Sequence, residues 1–390
     1  MKILSLSYEY MPIGGGGSRV AAAINEELAR LGDDVQVLTS AMKGLPDEET
    51  VKGVPVHRSA CIRRHSHYTT AAELFTTLLP SYRRGAQLIR SWRPDVIHTH
   101  FILPSGPVAW ALSRRFGVPY ILTAHGSDVP GYNPDRFHLL HRLLKPAWRR
   151  ILRDAALVTS PSRYLAELME EVGCPVPVVI LPNGHWPQQG FNAPQRNRIL
   201  VVARMFPRKG IQHFIDAVSG MESDWELIIA GDGPYREELE EQARNVAPNV
   251  RFVGFVSAET LRILYESSRI LVFPSIQENF PMVLLEAMDA GCAVVTTNAE
   301  GCAEVVGDAG IVVPKGKAQG IREALERLMR DSGLVQQLSA RSKARAESLA
   351  WSHIVPRYRD LLQAAISRDP DAIRRAAARA QAAPRRQATG

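Results

Sequence analysis

Residues 273–288 read FPSIQENFPMVLLEAM, and this stretch carries most of what the sequence predicts. The apolar run Ile270–Phe273 is typical of a buried strand, and Met282–Ala290 is an apolar run of helical length. Pro281 suits the start of that helix, because the N–H that proline lacks has no partner there. Glu278 therefore lies in a strand-to-helix loop, and Glu286 lies about two turns into the helix.

Two glutamates in this setting could serve a bound nucleotide sugar. The backbone amides near Asn279, Met282 and Val283 would present the positive end of the helix to a phosphate group. Glu278 could then hold sugar hydroxyls, while Glu286 holds a ribose. The competing interpretation, helix caps and surface charges, would suit two glutamates outside such a setting.

Strand-like and helical runs alternate along both halves of the chain, which favours α/β architecture with parallel, doubly wound sheets. Pro, Gly, Asn and Gln interrupt the pattern between the halves. We therefore predict two Rossmann-like domains with a ligand in the cleft between them, outside the carboxyl ends of the strands. The predicted parts are domain 1–184, linker 185–197, domain 198–350, a helix at 351–366 that crosses back to the first domain, and a frayed Ala/Arg-rich tail at 367–390.

Two further loops follow strand-like runs. Gly14–Gly17 comes after the run Lys2–Ser7 and before a helical pattern at 20–31, so a phosphate or sugar could approach its backbone. A flexible turn would give the same pattern. Arg204 and Lys209 follow the run 198–203 and would suit a diphosphate, since arginine forks onto two oxygens and lysine supplies a point charge. A solvated basic turn is the alternative.

Together these pieces resemble glycosyltransferase family 4, which comprises retaining enzymes with the GT-B fold, over nearly the whole chain from Ile3 to about Gln363. The glutamate pair, Glu278 and Glu286 with seven residues between them, carries the resemblance best. The other shared motifs are the glycine loop before Ser18–Val20, Pro94–His98, Thr123–Gly126, Val202–Arg204 with Lys209 and Gly210, Ala230–Pro234, and Phe252–Val256.

The resemblance implies a role for each site residue. Arg204 and Lys209 would bind the donor diphosphate, Glu286 the ribose, and Glu278 the donor sugar near its anomeric carbon. His125 would contact the sugar near the leaving group. Gly15 and Gly16 would lie over the phosphates, the backbone at Phe255 and Val256 would meet the base, and Asn279, Phe280, Met282 and Val283 would complete the donor site. Pro281 stands where many relatives have glycine, and it removes one amide donor.

Composition limits the class of protein. The 390 residues are 45% hydrophobic and 22% charged, which excludes a disordered chain. No apolar run is long enough to span a membrane, and the apolar start 1–6 is shorter than a signal peptide. The four cysteines match neither a zinc site nor a disulfide framework, so we expect reduced thiols and a cytoplasmic protein.

The net charge of +7 is unevenly distributed. Residues 58–163 carry 16 basic and 5 acidic side chains, whereas residues 191–367 carry 20 and 22. This asymmetry predicts an anionic or membrane-linked acceptor that contacts Arg63, Arg64 and the basic stretch His141–Arg153. Surface arginines without a partner, and a core helix with a solvated face at 141–153, are the alternatives.

The sequence thus predicts a metal-independent, retaining glycosyltransferase without a cofactor, using a UDP-sugar or, second, GDP-mannose. His98 and His100 flank Thr99 on one strand, but a metal site would need a third ligand, so structural histidines are the better interpretation. A nucleotide-sugar epimerase is the nearest rival. The missing GxGxxG motif disfavours a dinucleotide oxidoreductase, and only the net charge favours a nucleic-acid binder, so no nucleic-acid partner is expected.

Overall fold

The computed structural model describes residues 1–66, 69–132 and 138–382. The chain forms two compact units. Unit 1 comprises residues 1–183 together with the chain from Trp351 onward, and unit 2 comprises Gly184–Ala350. Within the described ranges, no helix is both long and apolar enough to span a membrane.

Unit 1 is built on a sheet of order β3-β4-β2-β1-β5-β6-β7-β8, in which only β3 and β4 pair antiparallel. Its strands are β1 (Lys2–Ser7), β2 (Asp34–Ser40), β3 (Glu48–Val51), β4 (Val54–Ser59), β5 (Val96–His100), β6 (Tyr120–Thr123), β7 (Leu157–Ser160) and β8 (Val178–Ile180). Its central strands are buried along their whole length, as expected for a parallel sheet covered by helices on both faces.

The helices of unit 1 alternate with its strands, except that β2, β3 and β4 follow one another and are followed by two helices in succession. The helices are α1 (Gly16–Arg30), α2 (Ala71–Thr76), α3 (Leu78–Trp92), α4 (Ser105–Phe116), α5 (His138–Asp154) and α6 (Arg163–Glu171), and after unit 2 α14 (Trp351–Ser367) and α15 (Pro370–Gln381). Helix α14 packs on α1 and the sheet of unit 1. Arg359 of α14 donates from Nε to the Asp33 carboxylate over 2.8 Å, and the terminal amine of Met1 binds the same group.

Unit 2 has an all-parallel sheet of order β11-β10-β9-β12-β13-β14. Its strands are β9 (Arg196–Val202), β10 (Glu226–Ala230), β11 (Val250–Gly254), β12 (Ser268–Phe273), β13 (Ala293–Thr297) and β14 (Gly310–Val313). Its helices are α7 (Ile211–Ala217), α8 (Arg236–Val246), α9 (Ala258–Ser267), α10 (Met282–Ala290), α11 (Glu300–Val306), α12 (Ala318–Arg330) and α13 (Ser332–Ser348).

The strand order changes direction between β1 and β5 in the parallel part of the unit 1 sheet, and between β9 and β12 in unit 2. In doubly wound sheets, ligands bind outside the carboxyl ends of the strands at this switch point, because the connecting helices leave to opposite faces there. The loops that follow these strands contain the glycine loop, Arg204, Lys209 and Glu278. The topology therefore places the residues singled out by sequence at the two favoured positions.

The predicted linker at 185–197 is not a loose connection. Glu266 accepts the backbone N–H of Phe191 over 2.8 Å, and Asp289 accepts that of Gln188 over 3.2 Å. Arg262 joins both carboxylates. Since β9 already begins at Arg196, the segment is part of unit 2.

The prediction of a frayed tail is wrong for residues 370–381, which form α15. Asp369 caps this helix by accepting the N–H of Asp371 over 2.9 Å. The small buried side chains of Ala376 and Ala380 let it pack closely, and the helix contacts α14. Alanine is the best helix former, so an Ala-rich stretch with a packing partner becomes a helix. Residues 383–390 of the predicted tail lie outside the described part of the chain.

Candidate functional site

The loops after β9 and β12 meet at the carboxyl edge of unit 2. The N–H of Ile276 donates to the carbonyl oxygen of Arg208 over 2.9 Å, which joins the two loops directly. Gly210 permits this contact, since a Cβ there would lie 2.0 Å from the carbonyl oxygen of Pro274, and its φ of +68° favours glycine. The basic loop and the glutamate loop therefore form one surface.

Lys209 and Glu278, which the sequence assigned to different parts of the donor, form an ion pair in this surface. Their side chains are only 19% and 12% exposed, respectively. The hydroxyl of Ser275 lies 2.8 Å from the same carboxylate oxygen, Oε1 of Glu278. An anion that binds Lys209 must therefore be accommodated beside the Glu278 carboxylate.

Arg204 is exposed at the rim of the same loop. Its guanidinium carbon lies 5.1 Å from the ring centre of Phe206, and that of Arg208 lies 5.6 Å from the same ring. A cation over an aromatic face is held in place without losing its hydrogen-bond donors. Arg204 and Arg208 thus add positive charge near Lys209.

The predicted helix begins as expected, because α10 spans Met282–Ala290 and follows Pro281 as its N-cap. Met282 and Val283 occupy the first helical positions, whose amides point out of the helix. Asn279 and Phe280 are buried at 8% exposure. The N–H of Gly301 donates to the carbonyl oxygen of Glu278 over 3.2 Å, so the glutamate loop is supported from the start of α11.

Glu286 lies on α10 and accepts the hydroxyl proton of Tyr265 at its Oε2 over 3.1 Å. Tyr265 is 2% exposed, and burial, together with the Glu286 charge, raises its pKa well above the usual value. The phenol therefore stays protonated and acts as a donor that fixes the carboxylate. Farther along the edge, Phe255 follows β11 with an 84% exposed side chain, and Val256 beside it is half-buried.

In unit 1 the glycine loop runs directly into α1, which begins at Gly16, four residues before the predicted start at Val20. Side chains at Gly15 and Gly16 would meet nothing within 4 Å, so their backbone lies open. Gly17 differs, since its Cβ would lie 2.5 Å from the Phe101 ring and 3.2 Å from Cγ of His125. The lack of a side chain at Gly17 lets the first turn of α1 approach His125.

The backbone around His125 is held by a carboxylate that the sequence reasoning overlooked. Oδ1 of Asp128 accepts the N–H groups of His125 and Gly126 over 3.0 and 2.9 Å, and Oδ2 accepts that of Ile102 over 2.7 Å. Burial raises the pKa of Asp128, while these donors act in the opposite direction. Three backbone bonds to one carboxylate fix the segment His125–Asp128 after β6 and join it to Ile102.

His98, His100 and His125 lie together beneath this loop. Nδ1 of His100 is 3.2 Å from Nε2 of His125, and Nε2 of His98 is 2.9 Å from the hydroxyl of Thr123. Burial lowers the pKa values of His98 and His125 to about 3 and that of His100 far below normal, so the rings are neutral at neutral pH. Among the described residues, no His, Cys, Asp or Glu cluster is arranged to hold a metal ion.

The predicted acceptor contacts are only partly available. Arg63 is 2% exposed and donates to Glu9 over 2.9 Å, because it joins the loop after β4 to the start of the glycine loop. The prediction for Arg63 as an acceptor contact is therefore wrong. Arg64 is exposed. It borders a groove of about 400 Å³ lined by Ile62, Arg64, His65, Thr70, Ala72, Glu73 and Thr76.

Helix α5 corresponds to the basic stretch His141–Arg153. Trp148, Ile151 and Leu152 are buried in the core of unit 1, whereas Arg149 and Arg153 are exposed. This is the arrangement of a core helix with a solvated basic face. The side chains of His141 and Arg142 lie outside the described part of the structure.

Two family models together match residues 15–345 of this chain. The model described as "Glycosyl transferase 4-like domain" matches residues 15–184, and the one described as "Glycosyl transferases group 1" matches residues 184–345. The chain is a GT4-like glycosyltransferase with the GT-B fold. The boundary between the matched models coincides with the start of unit 2 at Gly184.

Known proteins resemble this glycosyltransferase over most of its length. A 2-deoxystreptamine N-acetyl-D-glucosaminyltransferase of Streptomyces fradiae is 29% identical over 81% of this chain and 82% of its own. Sucrose-phosphate synthase of Thermosynechococcus elongatus superimposes with a TM-score of 0.77 at 23% identity, covering 94% and 100% of the chains. HepE of Anabaena, solved with UDP-glucose, gives 0.71 at 18% identity, covering 93% and 99%.

Four side chains that shape the sites of this glycosyltransferase escaped the sequence analysis or were undervalued by it. Ser275 and Tyr265 support the two glutamates, Asp128 holds the His125 backbone, and His100 contacts the His125 ring. A signal existed only for Asp128, since an aspartate shortly after a loop residue commonly accepts backbone N–H groups in a turn. Ser275 lies only three residues before Glu278, but a serine there is no signal by itself, and the contacts of Tyr265 and His100 join distant elements.

Proposed function

We propose that this glycosyltransferase is retaining and metal-independent, and that it transfers a sugar from a nucleoside diphosphate sugar held by unit 2. The observation that carries the proposal is the junction of Arg204, Lys209 and Glu278 at the switch point of β9 and β12. A diphosphate needs cations, and the sugar attached to it needs a polar group nearby. Both occur within one hydrogen-bonded pair of loops.

Arg204, Lys209 and the first amides of α10 have one chemical task in this proposal. Negative charge grows on the diphosphate as the bond to the sugar breaks, and donors fixed in advance stabilise that charge without reorganising. The two side-chain cations supply charge that a divalent ion supplies elsewhere, which supports metal independence. Activity should therefore persist in EDTA.

Glu278 is the side chain proposed to face the anomeric carbon. An oxocarbenium-like centre develops there as the diphosphate departs, and the carboxylate stabilises its positive charge. The acceptor enters on the face that the diphosphate leaves, which gives retention. On unit 1, His125 is the residue proposed to contact the sugar near the leaving group, with Gly15 and Gly16 over the phosphates.

Glu286 is proposed to hold the ribose, and the backbone at Phe255 and Val256 to meet the base. The exposed Phe255 ring suits contact with a planar base, since aromatic rings stack on planar groups. UDP is the first choice for the nucleotide because HepE, a protein of the same fold, was solved with UDP-glucose. GDP-mannose is the second choice.

The proposed acceptor is anionic or lipid-linked and is used in glycan or glycolipid synthesis. The groove beside Arg64 combines a cation with the apolar side chain of Ile62, which is 59% exposed, and Phe75 of α2 and Leu79 of α3 are 49% and 56% exposed. Exposed apolar side chains flanked by arginine suit the boundary between lipid chains and phosphate headgroups. The basic face of α5 adds Arg149 and Arg153. Peripheral membrane contact follows from this assignment.

The decisive experiment is a thermal-shift screen of UDP, GDP, ADP and their sugars against the wild type and two lysine variants. A ligand that binds the folded protein raises its melting temperature by mass action. Lys209→Ala should lose most of the shift. Lys315→Ala is the matched control, because Lys315 also pairs with a glutamate, Glu300, but follows β14, two strands away from β12. If a ligand raised the melting temperatures of Lys209→Ala and Lys315→Ala equally, the proposed donor site would be contradicted.

A further inference from the structure

The environment of His125 fixes more than its position. His100 is fully buried, and its Nδ1 lies 3.2 Å from Nε2 of His125. The ring centres of His98 and His100 lie 4.2 Å apart, and those of His100 and His125 lie 5.4 Å apart. The three imidazoles therefore form one cluster, in which His125 is less buried than His98 and His100.

Each of these rings is neutral at neutral pH, because burial lowers its pKa. A neutral imidazole has one N–H donor and one nitrogen that only accepts. The contact between His100 and His125 therefore has two arrangements. Either Nδ1 of His100 carries the proton and donates, or Nε2 of His125 carries it and donates.

The second nitrogen of His100 distinguishes these arrangements. Its Nε2 is buried and has no hydrogen-bond partner within the described ranges. If His125 donated, His100 would keep its proton on that nitrogen, as a buried N–H without an acceptor. If His100 donates, the same nitrogen carries only a lone pair. Buried N–H groups without partners are rarer in proteins than acceptors that lack one, so the arrangement in which His100 donates to His125 is favoured.

Other contacts hold the His100 and His125 rings in place relative to each other. Phe101 follows His100 with a φ of +70°, a strained value for a residue with a side chain, and its ring centre lies 4.5 Å from that of His125. Asp128 fixes the His125 backbone from the other side. A strained backbone beside a site is maintained when the surrounding contacts over-determine it.

We propose that His100 is a positioning residue that holds His125 in the tautomer with its proton on Nδ1. His125 then meets the donor sugar as a neutral hydrogen-bond donor and does not act as a general base, since its Nε2 is occupied by His100. This inference rests on the sugar contact assigned to His125 in the proposed function. It adds that His125 is the hydrogen-bond donor and the sugar the acceptor in that contact.

The tautomer can be measured without activity, by nitrogen NMR of wild-type protein labelled with ¹⁵N-histidine. The chemical shifts of the two ring nitrogens show which one carries the proton, and His125→Asn identifies the His125 signals. We expect a protonated Nδ1 and a bare Nε2 in His125. A His125 ring protonated on Nε2 would overturn the proposal.

Kinetics of conservative variants provide the second readout. The asparagine amide is attached to Cγ as Nδ1 is in histidine, so His100→Asn keeps a donor at that place, whereas His100→Leu removes it. We expect His100→Leu to lower kcat about tenfold, the value of one hydrogen bond, and His100→Asn to restore most of the loss. Equal kcat losses in the two variants would indicate a merely structural role.

His98→Leu is the matched control, since His98 is equally buried on the same strand but its hydrogen bond goes to Thr123. Its kcat per folded molecule should stay within about twofold of the wild type. At position 125, Asn should retain more activity than Gln, whose amide mimics Nε2. If His125→Leu left kcat unchanged while NMR showed the expected tautomer, the sugar contact would be wrong and the role of His100 would stand.

Discussion

The carboxyl edges of the two sheets use opposite electrostatics at equivalent topological positions. At the β9/β12 edge of unit 2, the key side chains are charged, with Lys209 paired to Glu278 and Arg204 exposed beside them. At the β1/β5 edge of unit 1, they are neutral imidazoles and bare glycine backbone, with a buried carboxylate occupied by backbone N–H groups. Both edges belong to doubly wound sheets of similar build.

This difference shows that the fold fixes where polar groups converge, but not their charge. A charged pair tolerates partial burial because each partner stabilises the other, whereas a buried imidazole avoids the cost by staying neutral. The charged edge suits the part of a reaction in which charge develops. The neutral edge suits recognition by hydrogen bonds of fixed direction.

The largest effect is expected from Glu278→Gln, which removes charge from the charged edge without changing its shape. We expect kcat to fall by about 10² to 10³, the range found when one charge-stabilising group is removed from a catalytic site. Affinity for the bare nucleoside diphosphate should not fall, because Lys209 no longer shares its charge with a carboxylate. Steady-state kinetics and calorimetry measure the two quantities, and a large loss of bare-nucleotide affinity would contradict the assignment.

Arg204→Ala should cost at least about 2 kcal/mol of transition-state stabilisation in kcat/KM, because a preorganised cation is lost. Lys209→Ala should do the same, with weaker diphosphate binding in both variants. Lys315→Ala serves again as the control. Unchanged kinetics in both variants, with folding intact, would remove the diphosphate site from unit 2.

The neutral edge should make unit 1 sensitive to acid. His98 and His100 have lowered pKa values in the folded protein, so below the unfolded pKa of about 6.5 the unfolded state binds more protons. Stability is therefore greatest above that pH and falls as the pH drops, by up to about 1.4 kcal/mol per pH unit for each ring. Hydrogen exchange at β5 and β6, corrected for intrinsic rates, measures the loss between pH 7.5 and 5.5.

Two comparisons make that measurement specific. Strands β9 and β12 of unit 2 lack such buried histidines and provide an internal reference within one sample. His98→Asn should reduce the pH dependence at β5 and β6, since it removes one of the three buried imidazoles whose pKa values are lowered. If the stability measured by hydrogen exchange at β5 and β6 had the same pH dependence as that at β9 and β12, the assignment of neutral buried imidazoles to unit 1 would be contradicted.

Smaller effects are expected from replacing Glu286 or Tyr265, which donates a hydrogen bond to Glu286. Glu286→Gln should weaken bare nucleotide and nucleotide sugar alike, by about tenfold, because a hydrogen bond to a charged group is worth about 1.5 kcal/mol or more. Tyr265→Phe keeps the ring but removes the donor to Glu286, and should lower both affinities by about threefold. Calorimetry with bare nucleotide shows both changes. A loss confined to the sugar-bearing ligand would mean that the roles of the glutamates are reversed.

The smallest expected change concerns the acceptor. Arg64→Ala should weaken co-sedimentation with anionic vesicles by a few-fold at low salt, since one basic residue near a charged surface is worth about 1 kcal/mol. Binding should decrease as salt rises, because charges are screened within about 10 Å at 0.1 M. Arg63→Ala is unsuitable as a partner variant, because it would break the pair with Glu9. If the wild type bound neither anionic nor neutral vesicles and readily transferred sugar to an uncharged soluble acceptor, the proposal of a lipid-linked acceptor would be contradicted.

Local patterns were enough to predict the strands and helices that carry the proposed donor-binding residues. Helix α10 has the predicted bounds, and β1 matches residue for residue, because apolar periodicity and flanking proline or glycine act over a few residues. The start of α1 at Gly16 was missed, since glycine is a poor helix former and the sequence does not show that the next residue, Gly17, packs against Phe101 and His125. Helix α15 was missed because its packing against α14 joins parts of the chain in a way that its own composition does not show.

The sequence by itself determined the α/β class, the family and the loops that hold Arg204, Lys209, Glu278 and Glu286, because each is written within a short stretch of chain. Only the tertiary structure decided that Lys209 pairs with Glu278, that Arg63 is buried against Glu9, and that His100 meets His125. These pairs join residues 25 to 69 positions apart. Their contacts depend on which strands become neighbours, and strand order is set by burial of the whole sheet.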